Sequence, residues 1–283
     1  MALIIDGKAI ANKVKAEVKE GSEALVARFG EEARPNMTLV LVGSDPVSKR
    51  LVELKTKDCE AAGITPTVIS LSETTSEEKL LRLIDRLNND ADVRSILCQL
   101  PVPEHIFTKK LLAAIAPEKD VDGFSARIDS DDYDIAACTP AAVLRMLKEA
   151  GVDVEGKHCV VVGRSNIVGK PMAIQLLLNN ATVTVCHSKT VGLAEHTRRA
   201  DVLIVAAGRA RLITADMVKE GAVVIDVGMN YIEGHPVGDV DYDSVEPKAS
   251  MITPVPGGVG PMTRAYLLVN ALKLAERAAR GNQ

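Results

Sequence analysis

The stretch from residue 160 to residue 171 constrains the fold of this chain more than any other. Its first residues, Val160–Val162, predict a buried strand that ends at Gly163. Gly169 then opens a run with helical spacing that has Pro171 in its first turn. A strand, a glycine-bounded loop and a helix point backbone N–H groups at a phosphate. The spacing is Gly-x-Ser-x-x-x-Gly, not the dinucleotide fingerprint Gly-x-Gly-x-x-Gly, so an ordinary strand–helix turn is the alternative interpretation.

The following strand, residues 182–186, indicates which nucleotide would bind. An NAD site has an acidic residue near the end of this strand, which holds the ribose hydroxyl. This chain has Ser188 and Lys189 there, with Arg164 in the preceding loop. A guanidinium group binds phosphate in a fork, whereas a carboxylate would repel it. The sequence therefore predicts NADP rather than NAD, with a solvated loop charge as the alternative for Lys189 and Arg164.

Alternating strands and helices run through most of the chain. Apolar runs at 202–208 and 222–228 each end at glycine, as parallel strands covered on both faces do, so residues 158–260 predict a doubly wound domain. The first part also alternates, with strands expected near 38–43, 67–71 and 95–100. The predicted fold class is α/β: two α/β domains around a cleft, the second a doubly wound Rossmann-type NADP-binding domain.

The domain boundaries follow from a change of character after residue 120. An acidic loop, residues 129–134, precedes Thr139-Pro140, which begin a helix. The predicted domains are residues 1–140 and residues 141–261. The final helix, from about 262 to 283, carries an apolar stripe and is expected to pack back onto the first domain.

Composition excludes several classes of protein. The net charge is −4, aromatic residues make up 2% and Trp is absent, which argues against nucleic-acid binding. The five cysteines are scattered without Cys-x-x-Cys spacing, so they predict reduced core thiols and no metal site. The sequence has neither a secretory pattern at its first residues nor an apolar run long enough to span a bilayer, and the cytoplasm is the expected location.

Three polar residues of the first part are candidates for chemistry. Gln99 closes a strongly apolar strand, Lys55 lies on the helix after the first strand of that part, and Asp122 precedes Gly123 in a loop. Ligands of open α/β sheets bind beyond the carboxyl ends of the strands, where these side chains are able to converge. The alternatives are a solvated helix charge for Lys55, a turn residue for Asp122 and a structural amide for Gln99.

A proline–glycine run, residues 253–263, contains three prolines and three glycines before the last helix. Proline stiffens the chain, and glycine lets the backbone approach a flat ligand closely. The alternative is a plain linker between domains.

These features together resemble the bifunctional methylenetetrahydrofolate dehydrogenase/cyclohydrolase family, over nearly the whole chain. The matching motifs are Ile5-Asp6-Gly7-Lys8, Leu41-Val42-Gly43, the helix of Lys55, Gln99 through Pro103, Lys119 through Gly123, Cys138-Thr139-Pro140, Gly163 through Pro171 and Thr253 through Thr263. The resemblance implies the NADP-dependent oxidation of 5,10-methylenetetrahydrofolate, hydrolysis of the methenyl product to 10-formyltetrahydrofolate, and a place in one-carbon metabolism and purine biosynthesis. It also implies a homodimer joined through the NADP-binding domains.

The resemblance assigns roles to individual residues. Lys55 matches the catalytic lysine, Gln99 would orient it, and Asp122 would accept hydrogen bonds from the pterin. The implied folate contacts are Leu51, Val52, Pro101, Pro256, Gly257, Gly258 and Pro261. The implied NADP contacts are Gly163, Arg164, Ser165, Ile167, Val168, Gly169, His187, Ser188, Ala207, Gly208, Gly228, Asn230 and Thr263.

Two departures from the family pattern lie on the folate side. Leu51 stands where the family has Tyr, four residues before Lys55, and the loop over residues 125–137 is shorter than usual. They favour, as an alternative, a dehydrogenase with weakened cyclohydrolase activity. Less favoured alternatives are a non-catalytic NADP-binding paralogue and an NADP-dependent dehydrogenase for a hydroxy acid or a shikimate-like substrate.

Overall fold

The computed structural model describes residues 1–124 and 135–281. Their strands are β1 (Leu3–Ile4), β2 (Asn36–Val42), β3 (Thr65–Leu71), β4 (Ile96–Cys98), β5 (His158–Val162), β6 (Thr182–Cys186), β7 (Val202–Val205), β8 (Val223–Asp226), β9 (Asn230–Ile232), β10 (His235–Val237) and β11 (Met251–Ile252). Their helices are α1 (Gly7–Phe29), α2 (Pro46–Ala61), α3 (Glu77–Asn89), α4 (Thr108–Ala114), α5 (Cys138–Glu149), α6 (Gly169–Leu178), α7 (Leu193–Thr197), α8 (Tyr242–Val245) and α9 (Val259–Gly281).

The chain divides into two compact units. The six-stranded unit comprises residues 1–12 and 139–263, and the three-stranded unit comprises the described residues of 13–138 and 264–281. Residues 1–12 were expected in the first domain, but in the structure they group with the six-stranded unit because β1 pairs with β11. Leu3 N donates to Ser250 O, and Ile5 N donates to Ile252 O. A strand of two residues is too short for its periodicity to be recognised in sequence.

The six-stranded sheet is parallel, with strand order β1-β11-β8-β7-β5-β6. Val162 of β5 pairs with both Cys186 of β6 and Val205 of β7, and Val205 pairs with Asp226 of β8. These four strands therefore end together, and the loops that follow them leave one edge of the sheet. Strands β7 and β8 are buried along their whole length, as expected for parallel strands covered on both faces.

The three-stranded sheet is also parallel, with β2 between β3 and β4. Helix α2 begins at a defined residue because Pro46 occupies its first turn and the Asp45 carboxylate accepts a 2.7 Å hydrogen bond from Ser48 N. Helix α3 is capped by the Ser76 hydroxyl, which accepts from Lys79 N, and its buried face includes Leu80.

The last helix begins at Val259, three residues earlier than the sequence predicts, because the end of the proline–glycine run forms its first turn. Pro261 is tolerated there, since the N–H that it lacks would have no partner within the helix. Further along, α9 packs beside α1, where Ala275 and Leu272 join a cluster with Leu25. None of the described helices combines the length and apolar character that a membrane crossing needs.

Candidate active site

Lys55 and Gln99 are brought together in the three-stranded unit. Lys55 lies on α2, and Gln99 is the first residue after β4. The Lys55 Nζ donates a 2.8 Å hydrogen bond to Gln99 Oε1. Gln99 is 4% exposed, and its own amide donates to the carbonyl of Leu100, so the oxygen is held toward the lysine. The sequence predicted this contact from the resemblance alone.

Asp122 completes this group, which we call the Lys55 group (Lys55, Gln99 and Asp122). Burial lowers the pKa of Lys55 below its ordinary value, and the negative charge of Asp122 opposes that shift. Burial raises the pKa of Asp122 to about 7, against the effect of Lys55. Desolvation disfavours the charged form of each side chain, so both are displaced toward neutrality. A carboxyl group with a pKa near neutrality, beside a lysine whose pKa is lowered, is suited to proton transfer.

The loop that holds Asp122 is fixed by Asn270 of α9. Asn270 is 2% exposed, and its Nδ2 donates 2.9 Å hydrogen bonds to the carbonyls of Val121 and Ala136. The backbone N–H of Cys138 donates to the carbonyl of Asp122 at 3.1 Å. Asn270 was not among the residues predicted for the site, although an amide within the apolar stripe of the last helix is the signal that marks it.

An ion cluster close to Lys55 was also missed. Asp58 lies three residues after Lys55 on α2, and its carboxylate pairs with Lys15 of α1 and, at 2.9 Å, with Arg264 of α9. The cluster connects three helices of the three-stranded unit. The positive charge of Arg264 is one of the causes that lower the pKa of Lys55.

The other predicted folate contacts of this unit differ in exposure. Leu51 is half-buried one turn before Lys55, Val52 is buried at 5% exposure, and Pro101 is exposed after a cis bond from Leu100. Val52 therefore belongs to the core face of α2. Most of the shortened loop, residues 125–134, lies outside the described residues.

The glycine-bounded loop after β5 packs tightly at the carboxyl edge of the six-stranded sheet. A Cβ on Gly163 would lie 2.1 Å from Ala206 O, and a Cβ on Gly169 would lie 2.3 Å from Gly163 O. Only glycine permits both approaches. The Ser165 hydroxyl accepts hydrogen bonds from the N–H groups of Val168 and Gly169, at 3.1 and 3.3 Å. Two N–H groups that the sequence would aim at a phosphate are thus bonded within the loop.

The residues that predict a 2′-phosphate site follow neighbouring strands. Arg164 comes after β5 and Ser188 after β6, and both side chains are exposed. His187 is half-buried, and its Nδ1 accepts a 3.2 Å hydrogen bond from Lys189 N. Ile167 is 38% exposed in the loop before α6. This edge therefore presents cationic and hydroxyl groups.

The loops after β7 and β8 hold further predicted cofactor contacts. Ala207 and Gly208 follow β7, Gly228 follows β8, and Asn230 begins β9. All four hydrogen-bond to a buried carboxylate, Asp239 or Asp226. Neither carboxylate was among the residues predicted for the site.

The proline–glycine run lines a cavity of about 190 Å³ in the six-stranded unit. Its other lining residues include Thr139, Val168, Met229 and Thr263. The start of α1 packs against the run, since a Cβ on Gly7 would lie 1.9 Å from Gly258 O. The predicted contacts Pro256, Gly257 and Gly258 line this cavity, together with the predicted NADP contacts Val168, Gly228 and Thr263.

A parallel sheet with glycine turns at its carboxyl edge, and a lysine–amide–carboxylate group in a second α/β unit, define a two-unit enzyme of the dinucleotide-binding α/β class. Two family models match this chain. Residues 5–122 match the tetrahydrofolate dehydrogenase/cyclohydrolase catalytic domain, and residues 137–279 match the NAD(P)-binding domain of the same family. The chain belongs to the tetrahydrofolate dehydrogenase/cyclohydrolase family.

Relatives match over almost the full length. The bifunctional protein FolD of Wolinella succinogenes is 51% identical over 278 residues, which cover 96% of each chain. The FolD protein of Anaeromyxobacter dehalogenans is 53% identical, covering 98% of this chain and 99% of its own. The predicted family resemblance is therefore confirmed.

Solved structures agree with the sequence relatives. The FolD dehydrogenase/cyclohydrolase of Campylobacter jejuni has a TM-score of 0.93 at 46% identity, covering 98% of this chain and 99% of its own. The Trypanosoma brucei enzyme, complexed with NADP cofactor and inhibitor, has a TM-score of 0.91 at 37% identity and covers 99% of both chains. The predicted α/β fold class is confirmed. A shikimate dehydrogenase from Aquifex aeolicus, at 14% identity and a TM-score of 0.54, shares the fold alone.

Proposed function

We propose that this chain oxidises 5,10-methylenetetrahydrofolate with NADP and hydrolyses the 5,10-methenyl product to 10-formyltetrahydrofolate. Family membership supports both activities, because both domain models match in one chain. The observation that carries the proposal is the 2.8 Å hydrogen bond between Lys55 and Gln99 within the catalytic-domain match. The Leu51-based alternative of a dehydrogenase with weak hydrolysis is not favoured, since the relatives are named bifunctional.

The residues at the carboxyl edge of the six-stranded sheet fit NADP. Gly163 and Gly169 let the loop backbone close tightly, and the exposed Arg164 and Ser188 provide donors for a 2′-phosphate. When bound, NADP supplies the hydride acceptor for the oxidation. The protein's contribution to that step is alignment of donor and acceptor, since the two folate nitrogens stabilise the cation that remains.

Hydrolysis of the methenyl group needs proton transfer, which we assign to Lys55. Water attacks the methenyl carbon, forming a C–O bond, and loses a proton to the neutral amine of Lys55. The ammonium then donates that proton to the ring nitrogen as the C–N bond breaks, and the hydroxyl oxygen becomes the formyl C=O as its remaining proton passes to solvent. Burial lowers the pKa of Lys55, which makes the neutral amine more accessible near pH 7. The fixed oxygen of Gln99 orients the amine through both stages.

Asp122 is proposed to bind the pterin. An ionised carboxylate accepts two parallel hydrogen bonds from an amino-pyrimidinone edge. The same negative charge favours the protonated form of Lys55, so it acts on both binding and proton transfer.

The test is a coupled assay of the wild type, Lys55→Gln and Lys57→Gln. Lys57 is an exposed lysine on the same helix and serves as the matched control. We expect Lys55→Gln to lose at least about 100-fold in hydrolysis, as expected for removal of a general acid–base group, and Lys57→Gln to keep it. A wild type that forms no NADPH from methylenetetrahydrofolate, or a Lys55→Gln variant that hydrolyses normally, would contradict the proposal.

We further infer a homodimer joined through the six-stranded unit. Strand β6 is at the edge of its sheet, and Val185 on that strand is 38% exposed. Leu177 and Leu178 at the end of the neighbouring α6 are 64% and 54% exposed. An unpaired strand edge beside apolar side chains favours association with a second copy. Sedimentation of Val185→Lys should give a monomer where the wild type gives a dimer, and a wild-type monomer would refute the inference.

We place the protein in the cytoplasm and without a nucleic-acid partner. All five cysteines are buried and free, as suits a reducing compartment, and the net charge of −4 gives no attraction to phosphate backbones. Fractionation of cells and a DNA-binding assay test these two statements directly.

A further inference from the structure

Asp239 is a buried carboxylate to which the reaction above assigns no role. It is 0% exposed and lies two residues after β10. Its Oδ2 accepts hydrogen bonds from the N–H groups of Ala207 and Gly208, at 2.6 and 2.8 Å, and its Oδ1 accepts from Arg209 N at 2.8 Å. Three successive backbone donors thus converge on one carboxylate, in the manner of an anion-binding nest.

The same carboxylate also holds the loop after β8. Asp239 Oδ1 accepts a 2.8 Å hydrogen bond from Asn230 Nδ2. A Cβ on Gly228 would lie 2.3 Å from Asp239 Cγ, so this position has no room for a side chain. The loops after the neighbouring strands β7 and β8 are therefore both held by the side chain of Asp239.

A second buried carboxylate holds Asp239 in place. Asp226 ends β8, and its Oδ1 accepts from Gly228 N at 2.9 Å and from Asp239 N at 3.0 Å. Its Oδ2 accepts from Val240 N at 2.9 Å, and a Cβ on Gly238 would lie 1.8 Å from that oxygen. Each carboxylate thus lies against a glycine, and together they satisfy seven donors.

We propose that Asp239 is a positioning residue for the dinucleotide, which fixes the loops of Ala207–Arg209 and Gly228–Asn230 in the conformation that receives it. This rests on the proposed function, because both loops leave the carboxyl edge assigned to NADP. One consequence is specific. The N–H groups of Ala207, Gly208 and Arg209 are already bonded within the protein, so these amides do not bind the cofactor phosphates. The phosphates are left to Arg164 and to amides of the Gly163 loop other than those of Val168 and Gly169.

Hydrogen exchange of the wild type tests this consequence without any substitution. The amides of Ala207, Gly208 and Arg209 should be protected before NADP is added, and NADP should slow their exchange little further. Free exchange at these amides until NADP binds would overturn the proposal, because it would show that the cofactor and not Asp239 orders the loop.

Asp239→Asn tests the effect on binding, with Asp243→Asn as the matched control. Both substitutions remove one negative charge from the same unit, but Asp243 is exposed on α8. Direct titration with NADPH should show binding weaker by about tenfold or more in Asp239→Asn, since buried donors lose their acceptor, and unchanged binding in Asp243→Asn. Hydrolysis of preformed methenyltetrahydrofolate, which needs no NADP, should stay within about twofold, a change worth less than 0.5 kcal/mol.

The outcomes separate this inference from the proposed function. Wild-type NADPH affinity in folded Asp239→Asn, or equal losses of binding and hydrolysis, would refute the positioning role. Failure of the wild type to turn over folate, with NADPH binding intact, would refute the proposed function and leave the titration valid. If Asp239→Asn does not fold, the exchange measurement on the wild type decides.

Discussion

At the scale of single residues, Lys55 and Asp122 share one environment and respond to it in opposite directions. Burial lowers the pKa of the lysine and raises that of the carboxylate to about 7. Each shift moves its group toward the neutral form, and the attraction between the two charges limits both shifts. We therefore expect the protonation state of Asp122 to change near neutral pH.

Hydrolysis should rise as pH increases through about 7. Above that pH Asp122 is ionised and able to accept from the pterin, and the neutral fraction of Lys55 grows as well. The contribution of Asp122 to the free energy of unfolding changes with pH in the opposite direction to the hydrolysis rate. Because the folded-state pKa of Asp122 is raised, this contribution is full below pH 3.8 and is lost as pH rises through about 7. The check is kcat/KM for hydrolysis between pH 5.5 and 8.5, and Asp122→Asn should lose the part of the pH dependence that ionisation of Asp122 causes. The exposed Asp92→Asn should keep the wild-type profile, and a wild-type profile that falls through pH 7 would contradict the prediction.

Substitution of Leu51 tests the alternative that this residue weakens hydrolysis, which the bifunctional relatives do not favour. Leu51 is half-buried one turn before Lys55, where an aromatic ring would be able to stack on a flat pterin. Leu51→Tyr should leave the hydrolysis rate close to that of the wild type, and a rise of up to about tenfold, the effect of an aromatic contact worth 0.5–1.5 kcal/mol, would support the alternative instead. Leu51→Ile keeps an aliphatic side chain and should leave the rate near that of the wild type. Equal rates in all three proteins would show that this position does not limit hydrolysis.

At the scale of elements, the orientation of α2 depends on ion pairs as well as on its packing. Val52 and Cys59 of this helix are buried, and Asp58 pairs with Lys15 and Arg264 on two other helices. The paired carboxylate side chain is only 14% exposed, so loss of one partner leaves charge in a poorly hydrated place.

Arg264→Met should lower the free energy of unfolding by about 2 kcal/mol, less than for a fully buried pair because Arg264 is partly exposed. It should also move the pH profile of hydrolysis to higher pH, since Arg264 contributes to the lowered pKa of Lys55. Urea unfolding measures the first effect. The control is Arg82→Met, which breaks an exposed i,i+4 pair with Glu78 on α3 and should have a much smaller effect. Equal stability losses in the two variants would contradict the role of the cluster.

At the scale of the whole molecule, each unit combines segments that are distant in sequence. The six-stranded unit contains residues 1–12 as well as 139–263, and its sheet is completed by β1. Helices α1 and α9 each begin in one unit and continue in the other.

Ile5→Asn should therefore affect NADP binding more than hydrolysis. Ile5 is 2% exposed and belongs to the six-stranded unit, so a buried amide there should cost about 2–4 kcal/mol of stability. NADPH titration and hydrolysis of preformed methenyltetrahydrofolate measure the two functions separately. Leu3→Asn, at a site that is 59% exposed on β1 just before Ile5, is the control and should change both little. A greater loss of hydrolysis than of NADPH binding in Ile5→Asn would contradict the division into units.

The sequence by itself determined the α/β class and the glycine-bounded loop, because strand–helix periodicity and motif spacing are local properties of the chain. It offered Lys55, Gln99 and Asp122 only as candidates, and their roles came from the family resemblance. Tertiary structure decided which segments share a sheet and which buried carboxylates hold the loops. Strand β1 has only two residues, and Asp239 reaches donors 30 to 32 residues away. Pairing of a two-residue strand and long-range satisfaction of buried donors depend on the folded backbone, and neither leaves a periodic pattern in the sequence.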